Sequence, residues 1–243
     1  MGVIYEPKGA AREYSELAIN LYHGCRFACR YCYAPGIALK KLAEWSADPK
    51  PKANILARLE RDAKKMAGDP RSILLCFTSD PYQGGEAASF TRQALLILER
   101  YDLTATVLTK AGSGAMGDFD ILKRNDWQFG TTLSCLRPET QSVWEPHAAG
   151  PASRAYAIKR AHQRGIQTWV SMEPVYNTLE ALGVIRKMHP YVDFWKVGKM
   201  NHRKIDIDWK QFHDDAVGLL DSLGAKYYIK KDLAAFGKRI STK

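Results

Sequence analysis

The sequence contains no run of eighteen or more apolar residues, although 46% of its 243 residues are hydrophobic, so no membrane helix and no membrane partner are expected. Its first fifteen residues carry Glu6, Lys8, Arg12 and Glu13 and contain neither a continuous apolar stretch nor a small-residue cleavage site. No secretory signal is read there, and a cytoplasmic location is expected. Cysteine is sparse and odd in number: five in all, three of them between positions 25 and 32. That is no secreted disulfide framework, and in a reducing compartment such a cluster points to a metal. Repeats and low-complexity linkers are also lacking, and 26% charged residues complete an ordinary globular composition. Acidic residues are outnumbered, 36 Lys and Arg against 26 Asp and Glu, giving a net charge of +10 and a pI near 9.3. This excess suits a polyanion such as DNA or RNA; a solvated basic surface is the plain alternative, because no single tract holds the charge. The densest stretches are Lys40-Lys41 with Lys50 and Lys52, Arg58 to Lys65, Lys196 to Lys204, and Lys226 to Arg239. The C-terminal third is the better candidate for a phosphate-facing surface.

Short apolar runs alternate with segments of helical period. Strands are expected at Leu17 to Leu21, Ser72 to Phe77, Leu103 to Leu108, Gln128 to Leu133, Gln167 to Met172, Val192 to Val197 and Lys226 to Ile229. Helices are expected from Ile55 to Met66, Thr91 to Tyr101, Ser153 to Arg164, Leu179 to Met188 and Asp208 to Leu223, with Gly68, Gly165 and Gly224 as stops. This is an α/β pattern that forms either a full or partial barrel or a doubly wound sheet. In each case chemistry collects after the C-terminal ends of the strands. Those positions hold Cys25 to Cys32, Thr78-Ser79-Asp80, Thr109-Lys110, Ser134-Cys135, Glu173, and Lys199-Met200-Asn201-His202.

Thiolates bind zinc or iron-sulfur clusters, and structural zinc normally takes four protein ligands. Cys76 and Cys135 are distant in sequence, and only His23 stands close enough to complete a Cys3His site. An iron-sulfur cube held by three cysteines keeps one iron open for a ligand. His147, His162 and His189 show no ligand spacing.

Several motifs recur in a fixed order: Asn20-Leu21-Tyr22-His23-Gly24, the cysteines Cys25, Cys29 and Cys32, Tyr33-Ala34, Thr78 to Gln83 with Glu86, Leu108-Thr109-Lys110, and Trp144-Glu145-Pro146 followed by Arg154 and Gly165. In this order the chain resembles the radical S-adenosylmethionine superfamily and, within it, the spore photoproduct lyase-like group, also described as DNA repair photolyase-like. The resemblance implies a partial (β/α)6 TIM-like barrel with parallel strands. Residues 1–243 would form one radical SAM domain, with a core over 15–200 and a helix-strand-helix extension over 201–243. It implies a 4Fe-4S cluster on Cys25, Cys29 and Cys32, and S-adenosyl-L-methionine on the open iron. A flavodoxin- or ferredoxin-type donor would reduce the cluster, and a 5′-deoxyadenosyl radical would abstract hydrogen from substrate in a lyase or isomerase reaction. Carried over by position, Ser79 and Asp80 receive the methionyl ammonium, Lys110 its carboxylate, Ser134 is a further ligand, and Tyr31 flanks the adenine.

Taken singly, each residue has a structural reading: Asp80 before Pro81 opens a turn, Ser79 and Ser134 cap helices, Lys110 is a surface cation. Tyr22, Tyr82, Glu145 and Arg154 read as shaping the barrel. Spore photoproduct lyase carries a hydrogen-donating cysteine directly before the Thr-Ser-Asp segment, where this chain has Phe77; Cys76, one residue earlier, is expected to point away from the barrel interior. Cys135 is then the candidate hydrogen donor and Tyr33 the candidate radical relay. The substrate expected is a thymine-type or modified base in DNA, or a nucleoside. A free small molecule or peptide is the alternative, and a non-catalytic zinc-stapled nucleic-acid module is the alternative of another class.

Overall fold

The computed structural model describes residues 2–237; Arg239 and the end of the expected extension lie outside the described residues. Among them are ten strands: β1 (Ile4–Tyr5), β2 (Leu17–Ile19), β3 (Tyr22–His23), β4 (Lys50–Pro51), β5 (Ile73–Leu75), β6 (Ala105–Thr109), β7 (Gln128–Thr132), β8 (Thr168–Met172), β9 (Phe194–Val197) and β10 (Tyr227–Ile229). All seven expected strands are present, six of them shortened and β6 shifted to end one residue later, at Thr109. Their residues are almost wholly buried in β2, β5, β6 and β8, as parallel strands covered on both faces require. The sheet order is β1-β2-β5-β6-β7-β8-β9-β10, with β1 antiparallel at one edge, every other pairing parallel, and no pairing between the two edges. The barrel is therefore partial. In addition, β3 and β4 form a small antiparallel ribbon.

One expectation is refined. The strand of the C-terminal extension does not stand apart, because Tyr227–Ile229 pairs in parallel with Trp195–Val197 and becomes the seventh parallel strand. Its crossover is the helix Trp209–Ser222, which starts at Asp208, whose side chain accepts from the Gln211 N–H at 2.9 Å.

The other crossovers follow the expected periodicity. In helix Ile55–Lys65 the buried residues are Ile55, Leu59 and Ala63, spaced four apart on one face. Helices Ala87–Arg100, Pro151–Gln163 and Thr178–Met188 cover the succeeding strands. Short helices, among them Leu42–Ala47, Phe119–Arg124 and Pro138–Trp144, were not legible in the sequence. Each spans fewer than two full turns and lacks room for a repeating apolar stripe.

The two faces of the sheet bury different sets. Leu17, Ile19, Ile73, Leu75, Val107 and Phe129 pack under the helices, whereas Ala18, Leu74 and Trp169 join Tyr5, Tyr14, Phe77, Leu108 and Phe194 on the interior face. Cys76 belongs to the helix-side core and Phe77 to the interior. Cys76 thus points away from the interior. No described helix is long and apolar enough to cross a membrane.

Candidate active site

After β2 the chain runs through the ribbon into the cysteine loop. Gly24 makes that passage at φ +86, and a Cβ there would stand 2.6 Å from the Trp45 carbonyl oxygen and 3.0 Å from Pro49 Cα. Three backbone donors then fix the loop: Arg26 N–H to Gln83 Oε1 at 2.8 Å, Arg30 N–H to the Trp144 carbonyl at 2.9 Å, and Cys32 N–H to the Cys29 carbonyl at 3.0 Å. Cys29 is buried, and Cys25 and Cys32 are half-buried. Burial pushes the Cys25 and Cys29 thiols up to about 12, and the thiols near one another add to the shift. Opposing this, Lys110 lowers both Cys29 and Cys32. The three sulfurs are mutual neighbours, yet among the described residues no three His, Cys, Asp or Glu side chains converge on one ion position. His23 is exposed on the ribbon. Three neighbouring thiols with His23 exposed on the ribbon suit a cluster that keeps one metal position open rather than a closed Cys3His zinc site.

Beside the loop stand the ends of β5 and β6. Asp80 is 7% exposed and braces the two strand ends: its Oδ1 accepts from Thr109 Oγ1 at 2.7 Å and from the Tyr82 N–H at 2.8 Å, its Oδ2 from the Lys110 N–H at 2.7 Å. Burial raises its pKa, and these three bonds pull it back only in part. Ser79 Oγ is buried with no oxygen or nitrogen partner; the Cys76 thiol lies beside it. The Lys110 ammonium forms no ion pair among the described residues and lies 5.8 Å from the centre of the Tyr31 ring. Burial pulls its pKa down, but Cys29, Glu145 and Asp80 outweigh that and leave it raised. The site therefore presents an unpaired cation next to three thiols. Such a donor set fits an iron-sulfur cluster with a zwitterionic cosubstrate.

Behind the cysteines lies a buried ion pair. Glu145 and Arg154 meet at 2.5 Å with side chains 1% and 2% exposed, and Tyr31 OH donates to Glu145 Oε1. Burial alone would raise Glu145, but Arg154 and Lys110 hold it below the usual carboxylate range. Arg154 further donates to the Ala149 and Thr132 carbonyls at 2.7 and 3.0 Å, tying Tyr31 to the end of β7. Cys135 and Ser134 are each 2% exposed. The Cys135 thiol lies 3.1 Å from Tyr176 OH in a cluster with Met200, Tyr31 and Trp144. Tyr33, by contrast, is exposed, donates to the Phe77 carbonyl at 2.9 Å and lies against the His202 ring at 5.7 Å. The structure brings Cys25, Cys29, Cys32, Tyr31, Lys110 and Asp80 together and encloses Cys135 behind Tyr176.

A second polar group was missed as a group in the sequence. Glu173, after β8, accepts from Lys230 Nζ, from Tyr14 OH at 2.6 Å and from Asn201 Nδ2 at 2.8 Å. Next to it Lys196 Nζ donates to the Glu13 and Tyr14 carbonyls at 2.9 and 2.8 Å, and burial, then Lys230, pull its pKa down to about 8. Glu173 and Asn201 were visible as strand-end polar residues; Lys196 inside the run Phe194-Trp195-Lys196-Val197 was the remaining signal. Two cations of the expected C-terminal phosphate-facing surface are thus turned inward.

A family model described as the Radical SAM superfamily matches residues 19–177, well over half of the chain. An uncharacterized protein of Methanocaldococcus jannaschii is 25% identical over 187 residues, 74% of this chain and 69% of that protein. A solved spore photoproduct lyase variant with bound AdoMet and dinucleoside spore photoproduct matches with TM-score 0.68 at 14% identity, over 92% of this chain and 78% of that one. SuiB of Streptococcus suis, bound to S-adenosylmethionine, matches with TM-score 0.67 at 11% identity over 90% of this chain, which spans only 51% of SuiB. At such identities the two solved structures show a shared fold. With the family match and the cysteine site together, the chain belongs to the Radical SAM superfamily.

Proposed function

We propose that this chain is a lyase- or isomerase-type radical SAM enzyme acting on a thymine-type or modified base in DNA. The observation that carries this is the unpaired Lys110 ammonium beside Cys29. Cys25, Cys29 and Cys32 would hold the cluster, and a reduced cluster supplies the electron that cleaves S-adenosylmethionine to methionine and the 5′-deoxyadenosyl radical. Lys110 receives the cosubstrate carboxylate; Ser79 and the remaining lone pair of Asp80 Oδ2 take its ammonium. Tyr31, fixed through Glu145, offers its ring to the adenine, and Ser134, in the segment after β7, is a further cosubstrate ligand. Tyr33, exposed at the mouth, is the hydrogen relay, and Cys135, in contact with Tyr176 OH, is the second candidate hydrogen donor. The basic charge of the chain favours DNA over a neutral substrate, and the solved lyase variant holds a dinucleoside lesion. An external flavodoxin- or ferredoxin-type protein donates the electron.

The test is anaerobic reconstitution with iron and sulfide, addition of reductant and S-adenosylmethionine, and assay of 5′-deoxyadenosine with DNA, nucleosides or peptides present. The expected result is cleavage lost in Cys29→Ala, and deuterium from labelled solvent or cosubstrate appearing in a DNA base. A protein that holds zinc and cleaves nothing would overturn the radical assignment. Label entering a peptide but no nucleic-acid component would overturn the DNA assignment; a SuiB structure with a bound precursor peptide makes that arm necessary.

A further inference from the structure

Against the start of the cysteine loop lies a cavity of about 280 Å³, lined in part by Arg26, Gln83, Gly84, Gly85 and Glu86. We propose that it binds a single phosphodiester of the nucleic-acid strand, next to the base presented to the site. The inference rests on the proposed DNA substrate and adds to it a named anchoring point.

Four features of the cavity ask for a hydrogen-bond acceptor with negative charge. The helix Ala87–Arg100 begins here with no side-chain cap, and of its first amides that of Ala87 is occupied, donating to the Gly84 carbonyl at 3.3 Å. The free amides and the positive end of the helix dipole favour an anion. Gly84 and Gly85, at φ +90 and +61, have nothing within 4 Å of a notional Cβ, so backbone is open to a ligand. Gln83 is 4% exposed; its Oε1 is used by the Arg26 N–H, and its Nε2 has no acceptor. A buried amide donor without a partner costs about 1–3 kcal/mol, which a ligand oxygen offsets. Arg26 lines the same cavity, and its guanidinium makes no ion pair or hydrogen bond among the described contacts.

Glu86 decides which anion fits. Its exposed carboxylate lines the cavity too and subtracts one charge from Arg26 and the helix end, which together supply about 1.5. The remainder matches a monoanionic diester and disfavours the doubly charged phosphate ion. The site lies one residue from Cys25, so a strand anchored there is held beside the cluster loop.

The experiment measures binding to the reconstituted holoenzyme by titration calorimetry. The probes are thymidylyl-thymidine, its neutral methylphosphonate analogue, and inorganic phosphate. The diester is expected to bind about tenfold more tightly than the neutral analogue, the worth of one charge-assisted contact. Arg26→Gln abolishes that preference, and Glu86→Gln strengthens binding of both the diester and inorganic phosphate. Should Arg26→Gln disturb iron content, Glu86→Gln, farther from the cysteines, carries the test. Equal binding of diester and neutral analogue, no response to Glu86→Gln, or wild-type binding of inorganic phosphate as tight as the diester overturns the inference. Base labelling that persists without diester preference sinks this site alone, whereas diester preference with no label in any DNA base sinks the proposed reaction instead.

Discussion

Asp80 and Lys110 are neighbours in space with different duties, and substitution separates them. Lys110→Ala removes a cation that forms no ion pair among the described residues and leaves Glu145 its Arg154 partner, so S-adenosylmethionine affinity is expected to fall at least about tenfold, with iron content and urea stability retained. Asp80→Ala strands the Thr109 hydroxyl and two backbone N–H groups, and is expected to cost about 2 kcal/mol or more in urea unfolding. Equal stability losses in the two variants would show that Lys110 is also a structural cation. Gly24 makes a different demand. In Gly24→Ala the added methyl meets Trp45 backbone at a positive φ, so about 1–3 kcal/mol of strain falls on the loop, and iron per chain after reconstitution is expected to drop. The cysteine triplet was readable because its ligands are local. The turn that Asp80 opens, closed by the Tyr82 N–H, was readable for the same reason; that Asp80 also braces β6 was not, since its other two donors, Thr109 and Lys110, come from the end of that strand.

At the level of elements, the cysteine loop is held from behind by the segment after β7 rather than by its own sequence. Arg154, from helix Pro151–Gln163, reaches Glu145, and Glu145 holds Tyr31. Breaking one partner leaves an uncompensated buried charge, so Arg154→Met is expected to destabilise the protein by about 3–5 kcal/mol. Denaturant titration checks this. A loss under 1 kcal/mol would mean water reaches the pair. The sequence marked Glu145 and Arg154 as shaping residues, and they are, but their contact with Tyr31 spans more than a hundred residues and leaves no local pattern. Helix Phe119–Arg124 escaped notice for a related reason: Gly112, Gly114 and Gly117 break the approach to it, and tertiary packing alone stabilises so short a helix.

Across the whole molecule, the open sheet is bridged by polar contacts from the N-terminal segment to its far side: Lys196 on β9 binds the Glu13 and Tyr14 carbonyls, while Lys230 after β10 meets Glu173, which Tyr14 also joins. Lys196 has a depressed pKa of about 8, so the folded state binds fewer protons than the unfolded chain between about pH 8 and the ordinary lysine value. The penalty of burying its charge is complete below pH 8 and is relieved as pH rises through that value. The stability difference between wild type and Lys196→Met is therefore expected to shift in favour of wild type from pH 7 to pH 10 in paired urea titrations; a constant difference would show an unshifted ammonium. The sequence by itself determined the strand order along the chain, the crossover helices and the cysteine cluster, because hydrophobic period and ligand spacing are local properties. Only the tertiary structure decided that the extension's strand belongs to the sheet, that Lys196 and Lys230 face inward, and that Arg26 meets an uncapped helix across a cavity. Those outcomes depend on which distant segments share a volume, and burial and charge act there without regard to position in the chain.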